Sequence, residues 1–132
     1  MLRTLLPLLL AVSLLSGCGG MPSRDTPPPG LAEAERLFAE GEFAAAAQAF
    51  DAAAAESRGG RDFYRLRAAE AWREEGDLAR AAGAVQAINP RKFDPESRLR
   101  LALLQAELAL DRRDADAALA FLATPVGAVP PA

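Results

Sequence analysis

Three short polar breaks interrupt long alanine-rich runs at nearly equal spacing, and this register restricts the fold more than any other feature. The breaks are Glu40-Gly41-Glu42-Phe43, Glu75-Gly76-Asp77-Leu78 and Arg112-Arg113-Asp114-Ala115. Gly41 and Gly76 stand 35 residues apart, and Gly76 and Arg113 stand 37 apart. The same residue types recur around each break. A small residue precedes it by seven positions (Ala34, Ala69, Ala106), and an acidic one follows directly (Glu42, Asp77, Asp114). A second small residue follows at five (Ala46, Ala81, Ala118) and a bulky apolar one at nine (Phe50, Val85, Leu122). Small residues let two helices approach closely, and the bulky residue four positions on falls on the same helical face. The acidic residue suits the N-terminus of the second helix, where backbone N–H groups lack partners. Gly41 and Gly76 provide the left-handed backbone that a tight helix end requires, and Arg113 departs from that pattern.

The composition agrees with a helical reading. Hydrophobic residues make up 51% of the 132 residues but aromatics only 6%, because alanine supplies much of the total. Alanine favours helix and adds little bulk, so close-packed helices are expected rather than strands. Helices are predicted at about 31–40, 43–56, 62–75, 77–88, 95–110 and 114–123. The second shows the expected apolar face: Phe43, Ala46 and Ala47, Phe50, then Ala53 and Ala54. Pro90 closes the second unit, and Asp94-Pro95 opens the next with a cap followed by a first-turn proline. The register resembles the tetratricopeptide repeat, a helix–turn–helix unit of about 34 residues. That resemblance implies an all-α fold of stacked antiparallel helical hairpins, a tetratricopeptide-like solenoid of about three units over residues 31–123.

The first residues do not belong to that domain. Residues 1–17 have the parts of an export signal: Arg3, an apolar core of 11 residues (LLPLLLAVSLL), and small residues before the single cysteine. That core is too short to span a bilayer. Leu15-Ser16-Gly17-Cys18 resembles the lipobox of bacterial lipoproteins. The resemblance implies diacylglyceryl transfer to the Cys18 thiol and cleavage between Gly17 and Cys18. A covalent lipid on Cys18 would tie the chain to a membrane, since two acyl chains already give stable attachment. In that class an Asp after the cysteine retains the protein in the inner membrane. Gly19 stands there, so the expected location is the periplasmic face of the outer membrane. Residues 18–30, with Pro27-Pro28-Pro29, read as an extended tether.

Catalytic chemistry has little to build on. The chain has no His and one Cys, so it offers no imidazole and no internal disulfide. It carries no Ser/His/Asp or Cys/His set, Gly-rich phosphate loop or metal-ligand cluster, and no catalytic residue, metal site or small-molecule substrate is expected. Lys and Arg number 15 against 18 Asp and Glu, which argues against a nucleic-acid surface. The arginine-rich stretches (Arg58, Arg61, Arg65, Arg67, then Arg91, Lys92, Arg98, Arg100) are interleaved with acids and should pair within and between helices. Trp72 is expected to anchor the core. Glu35, Glu70 and Glu107 each follow an aligned alanine, so stacked hairpins would set them in a row along the first-helix face. In the tetratricopeptide family that face binds partners, which makes these three the candidate partner-binding residues.

A narrower resemblance covers residues 62–123. The runs YRLRAAEAW (64–72), REEGDLARA (73–81), LRLALLQAELAL (99–110) and residues 114–122 are similar to the N-terminal helical part of the penicillin-binding-protein activator lipoproteins, the LpoA/LppC family. It implies a periplasmic lipoprotein that regulates peptidoglycan synthesis by activating a bifunctional penicillin-binding protein. The family also carries a large C-terminal domain shaped like a periplasmic binding protein. Residues 124–132 (TPVGAVPPA) resemble the start of a linker, so this chain is expected to be the N-terminal helical part. The alternative is a general scaffold lipoprotein for assembly of cell-envelope proteins.

Overall fold

A computed structural model describes residues 27–123. The segment read as an export signal, the lipidation site expected at Gly17–Cys18, the expected tether up to residue 26 and the tail at 124–132 lie outside the described residues. Among those described there are six α-helices, one short 3₁₀ turn and no strand. The helices are α1 (Leu31–Ala39), α2 (Phe43–Glu56), α3 (Arg61–Glu75), α4 (Leu78–Gln86), α5 (Pro95–Asp111) and α6 (Ala115–Ala123), with the 3₁₀ turn at Pro90–Lys92. None is long and apolar enough to cross a membrane. The bounds lie within about two residues of those read from the sequence, the end of α4 moving most. There Ala87 and Ile88 turn off through bonds to Ala84 and Val85, and Ile88 and Phe93 plug the gap ahead of α5.

The three breaks fold alike. In each, the last helical turn closes with one bond spanning five residues and one spanning three. Glu42 N–H donates to the Leu37 carbonyl and Gly41 N–H to Phe38. Asp77 donates to Trp72 and Gly76 to Arg73, while Asp114 donates to Ala109 and Arg113 to Leu110. This is the Schellman end, which needs a left-handed residue at its corner. Gly41 (φ 82°), Gly76 (φ 90°) and Arg113 (φ 63°) fill that corner. Arg113 therefore takes the glycine conformation despite its Cβ, the cost an L-residue bears there being about 1–2 kcal/mol.

The acids after each break differ in what they do. Asp77 Oδ1 accepts from Arg80 N–H at 3.0 Å, and Asp114 Oδ1 accepts from Ala117 N–H at 2.9 Å. Glu42 makes no such bond, because its extra methylene carries the carboxylate past the N-terminal amides of α2. Asp94 caps α5, its Oδ1 accepting from Ser97 N–H at 2.7 Å with Pro95 in the first turn.

Consecutive helices pack as neighbours: α1 on α2, α2 on α3, α3 on α4, α5 on α6, with sparser contact from α5 to α3 and α4. The aligned alanines are all buried at these seams: Ala34, Ala69 and Ala106 before the breaks, Ala46, Ala81 and Ala118 after them. With only a methyl group between backbones, helices approach closely and core volume comes from a few large groups. Phe50 and Leu66 are fully buried among them. Trp72 is buried as expected, and its indole N–H is satisfied by Asp51 Oδ2 at 3.2 Å, with the Arg80 guanidinium 4.6 Å over its ring.

Candidate functional site

The first helices of the three pairs, α1, α3 and α5, carry the three glutamates singled out above, and α3 lies at the centre of what they form. Arg67 and Glu70 are one turn apart on α3, so their side chains meet on one face. Arg67 reaches α1, where Nε and Nη2 donate to the two carboxylate oxygens of Glu35 at 3.1 and 2.5 Å. Its Nη1 also donates to Glu70. On the other side, Arg100 of α5 donates to both oxygens of Glu70 at 3.1 and 2.7 Å. One turn further along α3, Arg73 donates to Asp111 at 2.9 Å and lies 3.3 Å from Glu107. Acid and base thus alternate across three helices in one ladder: Glu35, Arg67, Glu70, Arg100, with Arg73, Glu107 and Asp111 as a second rung.

Arg67 is the buried member, its residue only 8% exposed. Its guanidinium sits 4.7 Å from the Phe38 ring centroid and 5.0 Å from that of Phe50. Burial works against its charge, but the bonds to Glu35 and Glu70 outweigh that and hold it above the ordinary arginine range. It is fixed by carboxylates in the plane of the guanidinium and aromatic rings against its face, an arrangement that a lysine ammonium cannot reproduce.

Beside the ladder runs a cleft of about 340 Å³. Phe38 and Leu104 form its apolar floor, Leu103 its edge, and Arg67, Arg73, Arg100, Glu70, Glu74 and Glu107 its charged walls. Of the candidate row, Glu70 and Glu107 line this cleft, while Glu35 reaches it only through Arg67. The three do not form a free acidic strip. Each is engaged by an arginine, and Glu70, engaged by two, is the least exposed. Glu107, half-exposed and held at 3.3 Å, is the most available to a ligand.

The sequence pointed to pairing of the arginines within and between helices, and Arg65 pairs within α3 while Arg67 and Arg100 pair with carboxylates across helices. Arg61 and Arg98 instead donate to the carbonyls of Ala54 and Phe93. Arg58, Arg91 and Lys92 make no side-chain bond among the described residues. Arg73 and the apolar floor carried no sequence signal, since their role depends on where α5 sits against α3. Among the described residues no group of three or more acidic, Cys or His residues is placed to hold a metal ion.

These features define an all-helical protein with a mixed-charge cleft along its first helices. Compared with known protein families, with curated proteins and with solved structures, the chain matches none.

Proposed function

We propose that this chain is a lipid-anchored periplasmic binding module of the outer membrane. In this reading its helix pairs stack as a tetratricopeptide-like solenoid and offer the α1/α3/α5 cleft to a protein partner. The observation that supports it best is the repeated Schellman turn. The three turns close with the same pair of bonds, and side chains from α1, α3 and α5 line one cleft with an apolar floor and paired charges. Such a surface suits a peptide or protein segment, which supplies apolar anchors for the floor and hydrogen bonds for the walls. The partner implied by the family resemblance is a bifunctional penicillin-binding protein, which the module would help to activate in peptidoglycan synthesis. The lipid on Cys18 would hold it on the outer membrane, facing the periplasm.

Two experiments test this. The first measures binding of the full chain to the periplasmic portion of a bifunctional penicillin-binding protein from the same cell, alongside the synthase's glycan-polymerising rate. Binding and faster polymerisation are expected, both lost on Leu103→Asp with Glu107→Lys, which alters the cleft without touching buried Arg67. Binding without acceleration leaves the general scaffold reading, and no binding removes the activator. The second is palmitate labelling, expected on the native chain and abolished by Cys18→Ala; label persisting on the variant rejects the anchor.

A further inference from the structure

Five large apolar side chains are exposed among the described residues, and all lie on α5 and α6: Leu99 (43%), Leu103 (45%), Leu110 (56%), Leu119 (65%) and Leu122 (51%). The helix α6 has the sequence ADAALAFLA, with Asp116 its one charged residue, yet Ala118 is its only fully buried side chain. A helix apolar on nearly every side is normally covered on more than one of them.

Helical geometry puts the five on one surface. At about 100° of turn per residue, Leu99, Leu103 and Leu110 fall within about 40° of one another. Their stripe runs between Ala106 and Ala109, which meet α6, and Arg100 and Leu104, which face the cleft. On α6, Leu119 and Leu122 lie to one side of Ala118 and Phe121, which meet α5. Because the three-residue turn makes α6 antiparallel to α5, that side is the same one the α5 stripe faces.

We propose that this α5–α6 face is the contact between two copies of the chain, packed about a two-fold axis with their α5 helices antiparallel. Two observations select a second copy as the occupant. The first is charge. Glu96 stands at the start of the stripe and Arg113 just past its end, and neither side chain has a partner among the described residues. An axis through the middle of the stripe sets Leu99 opposite the other copy's Leu110, and Glu96 opposite the other copy's Arg113, twice over. Self-complementarity of this kind is what an isologous contact demands. The second is area. At about 1.5 Å per residue α5 is roughly 25 Å long and the shorter α6 roughly 13 Å, each about 10 Å wide. That flat footprint of about 400 Å² per copy falls in the small class of interfaces, which suits a weak, micromolar dimer. The stripe shares Leu103 with the edge of the cleft and leaves its floor, Phe38 and Leu104, open, while Leu119 and Leu122 belong to the α5–α6 face alone.

Sedimentation equilibrium of the full chain in density-matched detergent tests it. A dimer is expected at about 100 μM, with dissociation in the micromolar range. Leu119→Lys with Leu122→Lys, which leaves the cleft unchanged, should give a monomer with an unaltered helical circular dichroism spectrum. Glu96→Lys and Arg113→Glu should each weaken the dimer about tenfold, and together should return it to within about threefold of the native value. A native chain monomeric at about 100 μM overturns the proposal, as does a dimer that survives the double lysine substitution. Failure of the paired charge reversals to rescue each other overturns the antiparallel arrangement.

Discussion

The first two helix pairs and the third use one turn design with different surroundings. In α1–α4 the inner helices are sandwiched: α2 packs on both α1 and α3, and α3 on both α2 and α4. The pair α5–α6 is attached mainly through α5, and α6 touches little else. The residue nine positions past each break traces the change, with Phe50 fully buried, Val85 half-buried and Leu122 half-exposed. A repeat in sequence therefore does not confer equal stability on its units. Each unit's apolar face gains energy only where a neighbour covers it.

The largest test of that contrast is at this ninth position. Phe50→Ala should cost about 3–5 kcal/mol in urea unfolding, because it empties a site enclosed on all sides. Leu122→Ala should change the stability of the monomer by less than about 0.5 kcal/mol. Similar losses at the two positions would mean that α6 is covered within its own chain.

Next comes the contrast between seams. Arg67→Ala should cost about 2–3 kcal/mol, since it removes a buried group stacked on two rings and frees Glu35 and part of Glu70. Arg100→Ala, at a more exposed pair, should cost under about 1 kcal/mol. A double-mutant cycle across Glu70 and Arg100 isolates the α3–α5 pairing itself.

The turns give a smaller effect with opposite signs. Arg113→Gly should stabilise by roughly 1 kcal/mol by relieving a left-handed arginine, whereas Gly76→Ala should destabilise by a similar amount. Thermal midpoints moving in the same direction would show that the third turn is not equivalent to the second.

The smallest effect is on pH dependence at the start of α5. The Ser97 backbone N–H, aided by its hydroxyl, holds the Asp94 carboxyl below the ordinary aspartate range. A carboxyl depressed in the folded state stabilises above its unfolded value of about 3.9, and that contribution disappears as pH falls through the lower folded value. Asp94→Asn should therefore flatten the acid limb of the stability curve below about pH 4 and leave the neutral plateau's slope unchanged. An unaltered acid limb would remove this cap from the account.

Much of the secondary structure was legible because its causes are local. Apolar spacing marked the α2 face, Asp94-Pro95 marked the start of α5, and the glycines marked two helix ends. The third turn was less legible, since Arg113 does not advertise the conformation it adopts. The candidate row was half legible. Register put the three glutamates on first helices, but their partners come from positions about 30 residues away, and register says nothing of how charges at that distance meet. The sequence's most charged helix, α3, proved the most buried, because its arginines and glutamates neutralise one another at its edges.

By itself the sequence determined the helices, their breaks and the small residues at each seam, all of which follow from backbone preference and one-turn spacing. Only the tertiary structure decided that the glutamates are engaged by arginines, that a cleft opens between α3 and α5, and that one face of α5–α6 stays bare. Those outcomes depend on the angle and distance between packed helices. Such quantities are set by the sum of many weak contacts, and no stretch of sequence encodes them alone.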